Sequence, residues 1–249
     1  MPLQEEMESQ GNFLFKHRGT FPIIILVLGF LVFIQTQIRE QEPVDDSFSQ
    51  TFYFYFCLFV SLFGLYIRIY TVGHTPANTS GRNTEEQLAD SLNHTGIYSA
   101  VRHPLYLGNF FMWLGVAMLT ANFWFIFSFM FIYWVYYERI MFSEEQFLRK
   151  KFGTIYTSWA SRTPAFFPRF NHFVKPSLPF SWKKVLKKEK NGLVAVFLLF
   201  FIFYATRQYI RNEPMEDKFL MYGCILSIVF YLILKYFKKY TKVLDEEGR

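Results

Sequence analysis

Apolar residues run in long unbroken blocks, and polar residues collect between them. Six blocks reach or approach the roughly 17–25 residues that a helix needs to cross a bilayer. They are Phe21–Ile38, Thr51–Tyr70, Leu105–Ala121, Phe123–Tyr137, Leu193–Tyr209 and Phe219–Tyr236. None alternates with a period of two, so the pattern predicts helices rather than a barrel. The predicted fold class is all-α, a polytopic membrane bundle of about six transmembrane helices.

The third and fourth blocks are separated only by a tight turn at Ala121-Asn122. They must form an antiparallel hairpin, and the residues before Leu105 must meet those after Tyr137. The segment Tyr136–Trp159 continues the fourth block as a helix with an apolar side. The prolines at 164, 168, 176 and 179 break any single helix beyond it. Trp182, Val185 and Leu186 share a helical face surrounded by lysines, which predicts an interfacial basic segment on an anionic bilayer surface. The stretch 74–84, HTPANTSGRNT, reads as a flexible or ligand-ordered loop. The expected division is 1–70 (tail and two spans), 71–170 (core), 171–191 (basic interfacial segment) and 192–249 (two spans and tail).

Charge sets the orientation. Charged residues are only 18% of the chain, against about 25% in soluble domains, and the net charge is +6. Lys and Arg favour the cytoplasmic side. The loop 138–191 and the C-terminal tail carry most of them, whereas the first loop holds Glu40, Glu42, Asp45 and Asp46. Both termini and both large loops, 71–104 and 138–191, are therefore expected in the cytoplasm. The first twenty residues are polar and mixed in charge, without a secretory cleavage pattern. Acceptor patterns at Asn78-Thr79-Ser80 and Asn93-His94-Thr95 would then stay unglycosylated.

Cys57 and Cys224 sit in apolar blocks, and the five histidines show no ligand spacing. Neither a metal nor a nucleic-acid partner is expected. Two polar clusters remain. GIYSAVRHPLYLG, 96–108, places Arg102, His103 and Pro104 at a membrane boundary, with Pro104 suited to a first helical turn. His103 and Tyr106 share a face, as do Tyr98 and Arg102. Gly108 thins the helix for a ligand or a neighbouring helix. The second cluster, ERIMFSEEQFLRKKFGTIYTSW, 138–159, carries Arg139, Glu144 and Glu145. The hairpin should bring the two together. Read alone, the first is equally well an interfacial anchor and the second a solvated charge-paired helix.

These two stretches at this separation resemble the isoprenylcysteine carboxyl methyltransferase and phospholipid methyltransferase superfamily. Its pattern G-x-Y-x-x-x-R-H-P-x-Y-x-G, two spans, then E-E-x-x-L-x-x-x-F-G-x-x-Y, is met at every fixed position, and the likeness covers roughly 64–168. The resemblance implies an integral membrane enzyme using S-adenosylmethionine in a pocket at the cytoplasmic end of the hairpin. It implies cofactor contacts at Leu92, Tyr98, His103, Pro104, Tyr106 and Glu144. Arg102 and Gly108 are counted with them. Arg139, one residue out of the family's register, would orient the acceptor, and Glu145 is the other candidate catalytic residue.

The expected acceptor is a membrane lipid or lipidated substrate methylated on an anionic phosphate or carboxylate, including a bacterial lipid A phosphate. The bilayer would be a bacterial inner membrane or the endoplasmic reticulum. Amine methylation of phosphatidylethanolamine would instead ask Glu145 or His103 for a base. A nicotinamide-dependent sterol-reductase-like enzyme and a non-enzymatic membrane scaffold are the alternatives.

Overall fold

The computed structural model describes residues 2–39, 47–77, 79, 87 and 89–248. The acidic residues of the first loop, Asn78 and Ser80 of the first acceptor pattern, and 81–84 of the expected flexible loop lie outside the described residues. Every regular element among the described residues is helical. In order they are α1 (Leu3–Lys16), α2 (Phe21–Arg39), α3 (Ser47–Gly73), a 3-10 turn (Gly96–Ser99), α4 (Pro104–Met118), α5 (Phe123–Phe152), α6 (Thr154–Ala160), α7 (Trp182–Arg211) and α8 (Lys218–Tyr240).

Five helices, α2, α3, α5, α7 and α8, are long and apolar enough to cross a membrane. Their outer faces expose large apolar side chains, among them Leu28, Phe59, Phe131 and Leu226. A surface of this kind suits lipid and not water, and the protein is an integral membrane protein. The third expected span is shorter than predicted. The helix α4 has 15 residues, and the chain leaves it at Leu119 through tight turns to Val116 and Ala117. Ala121 takes a left-handed backbone (φ 49°), which reverses the chain in few residues. Asn122 then caps α5, accepting from the Phe125 N–H at 2.9 Å.

The shorter α4 is held by close approach to α3. The two helices touch through Cys57, Ser61 and Gly64 on one side and Gly108, Met112 and Gly115 on the other. A Cβ on Gly64 would press on the Gly108 carbonyl and the Met112 N–H, and one on Gly115 would press on Ser61. Ser61 donates to the Met112 carbonyl at 2.8 Å. Small residues let helix backbones meet where lipid offers no hydrophobic drive for association.

Two expectations about the ends are corrected. The first residues form a helix, α1, that lies along the second half of α5. Gly11 sits against the Arg139 carbonyl, Tyr136 donates to the Leu14 carbonyl at 3.2 Å, and Lys150 pairs with Glu8 at 2.5 Å. The expected basic interfacial segment is the beginning of α7, which runs unbroken from Trp182 past the 191/192 division. Trp182 is exposed, but Lys184, Glu189 and Lys190 are buried. Lys184 donates to Thr75 and Pro76, tying α7 to the end of α3.

Candidate active site

Pro104 opens α4 and His103 is its N-terminal flanking residue, as the sequence predicts. What fixes the strip in front of them is the proline-rich segment 164–174. Arg102 N–H donates to the Pro164 carbonyl (2.9 Å) and His103 N–H to Ala165 (3.1 Å). Arg169 N–H donates to Ala100, and Gly96 N–H to Val174 (both 2.9 Å). Pro164 and Pro168 keep the segment out of a helix, so its backbone groups are free to pair with this strip. Gly96 is left-handed (φ 61°), a conformation that favours glycine.

The hairpin brings the two polar clusters into contact. His103 Nε2 lies 3.0 Å from a Glu145 oxygen, and Nδ1 lies 3.6 Å from Glu144. Tyr106 donates its hydroxyl to Glu144 at 2.6 Å. Arg102 Nε lies 3.1 Å from Glu145, and its Nη1 donates to the Ala160 carbonyl at 3.0 Å. The rings of His103 and Tyr106 stack with centroids 5.8 Å apart. Burial opposes charge on His103, but hydrogen bonds and attraction from Glu144 and Glu145 outweigh it, and its pKa is raised. Burial likewise opposes charge on Glu145. His103, Arg102 and the Tyr156 hydroxyl overcome it and hold the carboxyl below its ordinary value.

The cluster borders a cavity of about 500 Å³, within the ~300–1,000 Å³ range of small-molecule sites. Leu92, Tyr98, Arg102, His103, Pro104, Tyr106 and Glu144 all line it. Tyr98 is fixed by two neighbours: Trp159 donates to its carbonyl at 3.1 Å, and its hydroxyl bonds Asn93. Burial, then the charge of Glu144, pushes the Tyr98 phenol up, so it stays neutral.

Three expected site residues stand elsewhere. Glu145 lies behind His103 and Arg102 and does not line the cavity. Gly108 lies at the α3–α4 crossing, against the Arg68 side chain. Arg139 is turned away from the cavity and meets Glu138 at 3.8 Å, because its turn of α5 is the one covered by α1.

Other lining residues come from segments that the motifs do not include. Phe15, Arg18 and Gly19 arrive from the α1–α2 junction, Arg68 from α3, and Lys188 and Glu189 from α7. Arg68 grips Glu189 through two nitrogens, at 2.8 and 2.7 Å, and gives a third to Asn109 at 2.7 Å. A lone acid inside the lysine run 183–190 and a lone arginine in an apolar block were the signals for this pair. Among the described residues, no group of three His, Cys, Asp or Glu side chains is placed to hold a metal ion.

With this geometry in view, the relatives are informative. A family model described as phospholipid methyltransferase matches residues 54–155. The chain is 38% identical over 74 residues to the protein-S-isoprenylcysteine O-methyltransferase of Schizosaccharomyces pombe, covering 29% of this chain and 31% of that one. It is 31% identical over 109 residues to the Saccharomyces cerevisiae enzyme of the same name, covering 43% and 44%. It is 34% identical over 165 residues to the nickel-cobalt-cadmium resistance protein NccN of Alcaligenes xylosoxydans xylosoxydans, covering 65% and 70%. The chain thus spans less than half the length of either yeast enzyme and over two thirds of NccN. No solved structure matches it significantly. This chain belongs to the isoprenylcysteine carboxyl methyltransferase and phospholipid methyltransferase superfamily.

Proposed function

We propose that the protein is a membrane methyltransferase that uses S-adenosylmethionine and transfers its methyl group to an anionic oxygen of a lipid or lipidated acceptor. The observation that carries this reading is the meeting of Arg102, His103 and Tyr106 with Glu144 and Glu145 beside one cavity of about 500 Å³. We take 71–170 as the core of the activity, with walls borrowed from α1 and α7. The excess of cations in 138–191 favours a cytoplasmic mouth.

The lining suits such a cofactor by chemistry. Glu144 offers an acceptor for an ammonium or ribose hydroxyl, and the His103 ring N–H offers a donor to a carboxylate. Tyr98 and Trp159 offer aromatic surface for a purine. When bound, S-adenosylmethionine supplies a methyl group on a sulfonium, a good leaving group. Transfer would balance with no further reactant: the acceptor oxygen would gain the methyl group, sulfur would keep the bonding pair, and one positive and one negative charge would cancel. The protein's part is to align the partners and exclude water. Glu145 acts through His103 and Arg102 as a positioning residue.

Two arguments favour an anionic oxygen over an amine. An amine has to lose a proton to a base, whereas His103 turns its ring nitrogens on Glu144 and Glu145, which raise its pKa, and Glu145 is tied to His103 and Arg102, which lower its own. The yeast relatives are named for O-methylation of an S-isoprenylcysteine, whose available oxygens are those of its carboxylate. No relative's name points to a lipid A phosphate. The test is to supply the purified full-length chain with methyl-labelled S-adenosylmethionine and total lipid extract, then identify the product by mass spectrometry. A labelled ester is expected. Labelled amine only would overturn the acceptor, and no labelled product in any lipid or lipidated-cysteine extract would overturn the reading.

A further inference from the structure

The segment between α6 and α7 carries a row of rings that do not line the cavity: Phe166, Phe167, Phe170 and Phe173, with Arg169, His172 and Lys175 among them. Phe166 is buried, but Phe170, Phe173 and most of all Phe167 (73%) are exposed. Phe166 is wedged between α4 and α5, edge-on to Phe110 and Trp134 with ring centres 5.9 and 5.4 Å apart. Phe167 lies outside that wedge and stacks on Trp134, with ring centres 6.1 Å apart and planes at 22°. Trp134 belongs to an exposed apolar stripe of α5 with Phe127, Phe131 and Val135, spaced as one helical face. That stripe is part of the outer surface that suits lipid, and Phe167 extends it.

The two helices gauge the depth of these rings. Trp134 stands eleven residues beyond Phe123, about 16 Å along α5, against a hydrocarbon layer about 30 Å thick. Phe110 stands six residues beyond Pro104, about 9 Å into α4 from the end that carries His103. The rings of Phe166 and Phe167 therefore reach below the level of His103, to membrane depth. The backbone of the segment is engaged above them. The carbonyls of Pro164 and Ala165 accept from Arg102 and His103, and the Arg169 N–H donates to Ala100. The Val174 carbonyl accepts from Gly96, and its N–H donates to the Ser99 hydroxyl at 2.9 Å. Pro168 has no N–H to satisfy. With its main chain paired to the strip 96–103, the segment can lower side chains into lipid without lowering unpaired backbone groups. Arg169 and Lys175, both exposed, flank the rings and can keep their charged heads among anionic headgroups.

We propose that residues 166–173 form a hook set into the bilayer, with phospholipid as the partner of its exposed rings: Phe167 in the hydrocarbon beside Trp134, and Phe170 and Phe173 at the headgroup boundary. Two observations point to lipid as the occupant. The exposed rings continue the lipid-facing stripe of α5, and the charges beside them are cationic, as an anionic surface requires. The hook also serves the cavity. Arg102 and His103 hang by their N–H groups from Pro164 and Ala165, so a hook seated in lipid holds the cavity mouth at a fixed depth. The assignment stands whatever reaction the cavity performs.

The test reads the surroundings of single nitroxide labels on the full-length chain in nanodiscs that contain anionic phospholipid. Cys57 and Cys224 are buried, and the chain without an added cysteine gives the background. Labels at F167C, F170C and F173C are compared with two references. F127C lies on the lipid face of α5, and K151C lies about 42 Å along the same helix from Phe123, past the hydrocarbon layer. Collisions with oxygen report lipid, and collisions with a nickel chelate report water. F167C should match F127C, with nickel collisions about tenfold below those at K151C. F170C and F173C should fall between the references, about two- to fivefold below K151C. If F167C does not fold, F170C and F173C decide the matter by the same criterion. The proposal is overturned if the label at 167, or that at 170, is as open to nickel as that at 151. Exclusion of both reagents from these labels, with spin–spin broadening, would put a second copy of the chain against the rings and overturn it too.

Discussion

The seam between α3 and α4 and the cavity mouth just beyond it are built from opposite materials. The seam works by omission: Gly64, Gly108 and Gly115 carry nothing, so two backbones touch. The mouth works by saturation, with acids and cations paired within about 4 Å of one another. Arg68 stands where the two meet. Its stem presses on Gly108 and its head is locked to Glu189. The contrast teaches that the two regions should fail differently: the seam through added volume, the mouth through a missing partner.

The largest effect should come at the junction. Glu189→Ala removes the buried carboxylate that pairs with the partly buried Arg68 and is expected to cost about 3 kcal/mol. The double variant with Arg68→Met should recover most of it, as read by thermal unfolding in detergent. An additive double variant would break the idea that the two side chains act as a pair. Gly64→Leu should cost about 3 kcal/mol, the upper end of overpacking, because what it meets is backbone. Unchanged unfolding would mean that the seam yields easily. Glu144→Ala leaves Tyr106 and His103 without that acceptor. It should cut methyl transfer by about 100-fold, some 2.7 kcal/mol, with little loss of stability.

The pH dependence of the mouth follows from its ion pairs. The raised His103 pKa contributes stability that is full below about 6.5 and is lost as pH rises through the higher folded value. The lowered Glu145 pKa contributes stability that is full above about 4.3 and is lost as pH falls through the lower folded value. The cluster should therefore be intact between these limits and into neutral pH. Affinity for S-adenosylhomocysteine, measured by calorimetry across pH, should be flat there and fall on the alkaline side. In His103→Gln the alkaline fall should vanish. The smallest effect is expected for Tyr156→Phe: the buried Tyr156 hydroxyl has no hydrogen-bond partner of good geometry, so its removal should change stability by about 1 kcal/mol or less.

The seam and the mouth also differ in how well they could be read from sequence. His103, Tyr106 and Glu144 were legible because a tight turn at Ala121-Asn122 forces the two helix ends together whatever the rest does. Of the six apolar blocks five became helices long enough to span, because lipid leaves the backbone no other choice. The length of α4 was not legible, since Leu119 and Ala121 are as apolar as the helix they leave. Nor was α1, which faces α5 with Gly11 and Phe15 while most of its polar residues stay exposed; its only local signs are Glu5 and Glu6 at the start and Lys16 at the end. That Arg139 falls outside the cavity lining was not legible, because its place on α5 depends on which face α1 covers, a contact between residues more than a hundred positions apart. The buried Lys184 and Glu189 were hidden in a run that composition alone assigns to a bilayer surface.

The brevity of α4 has a consequence for where the reaction takes place. Fifteen residues rise only about 22 Å, whereas the hydrocarbon layer is about 30 Å thick. In the topology proposed above, with the Thr120–Asn122 corner at one surface, His103 would lie several ångströms below the level of the other. The hydrophobic chain of the proposed acceptor would then stay immersed while its end group is modified, with no need for the substrate to be lifted out of the bilayer.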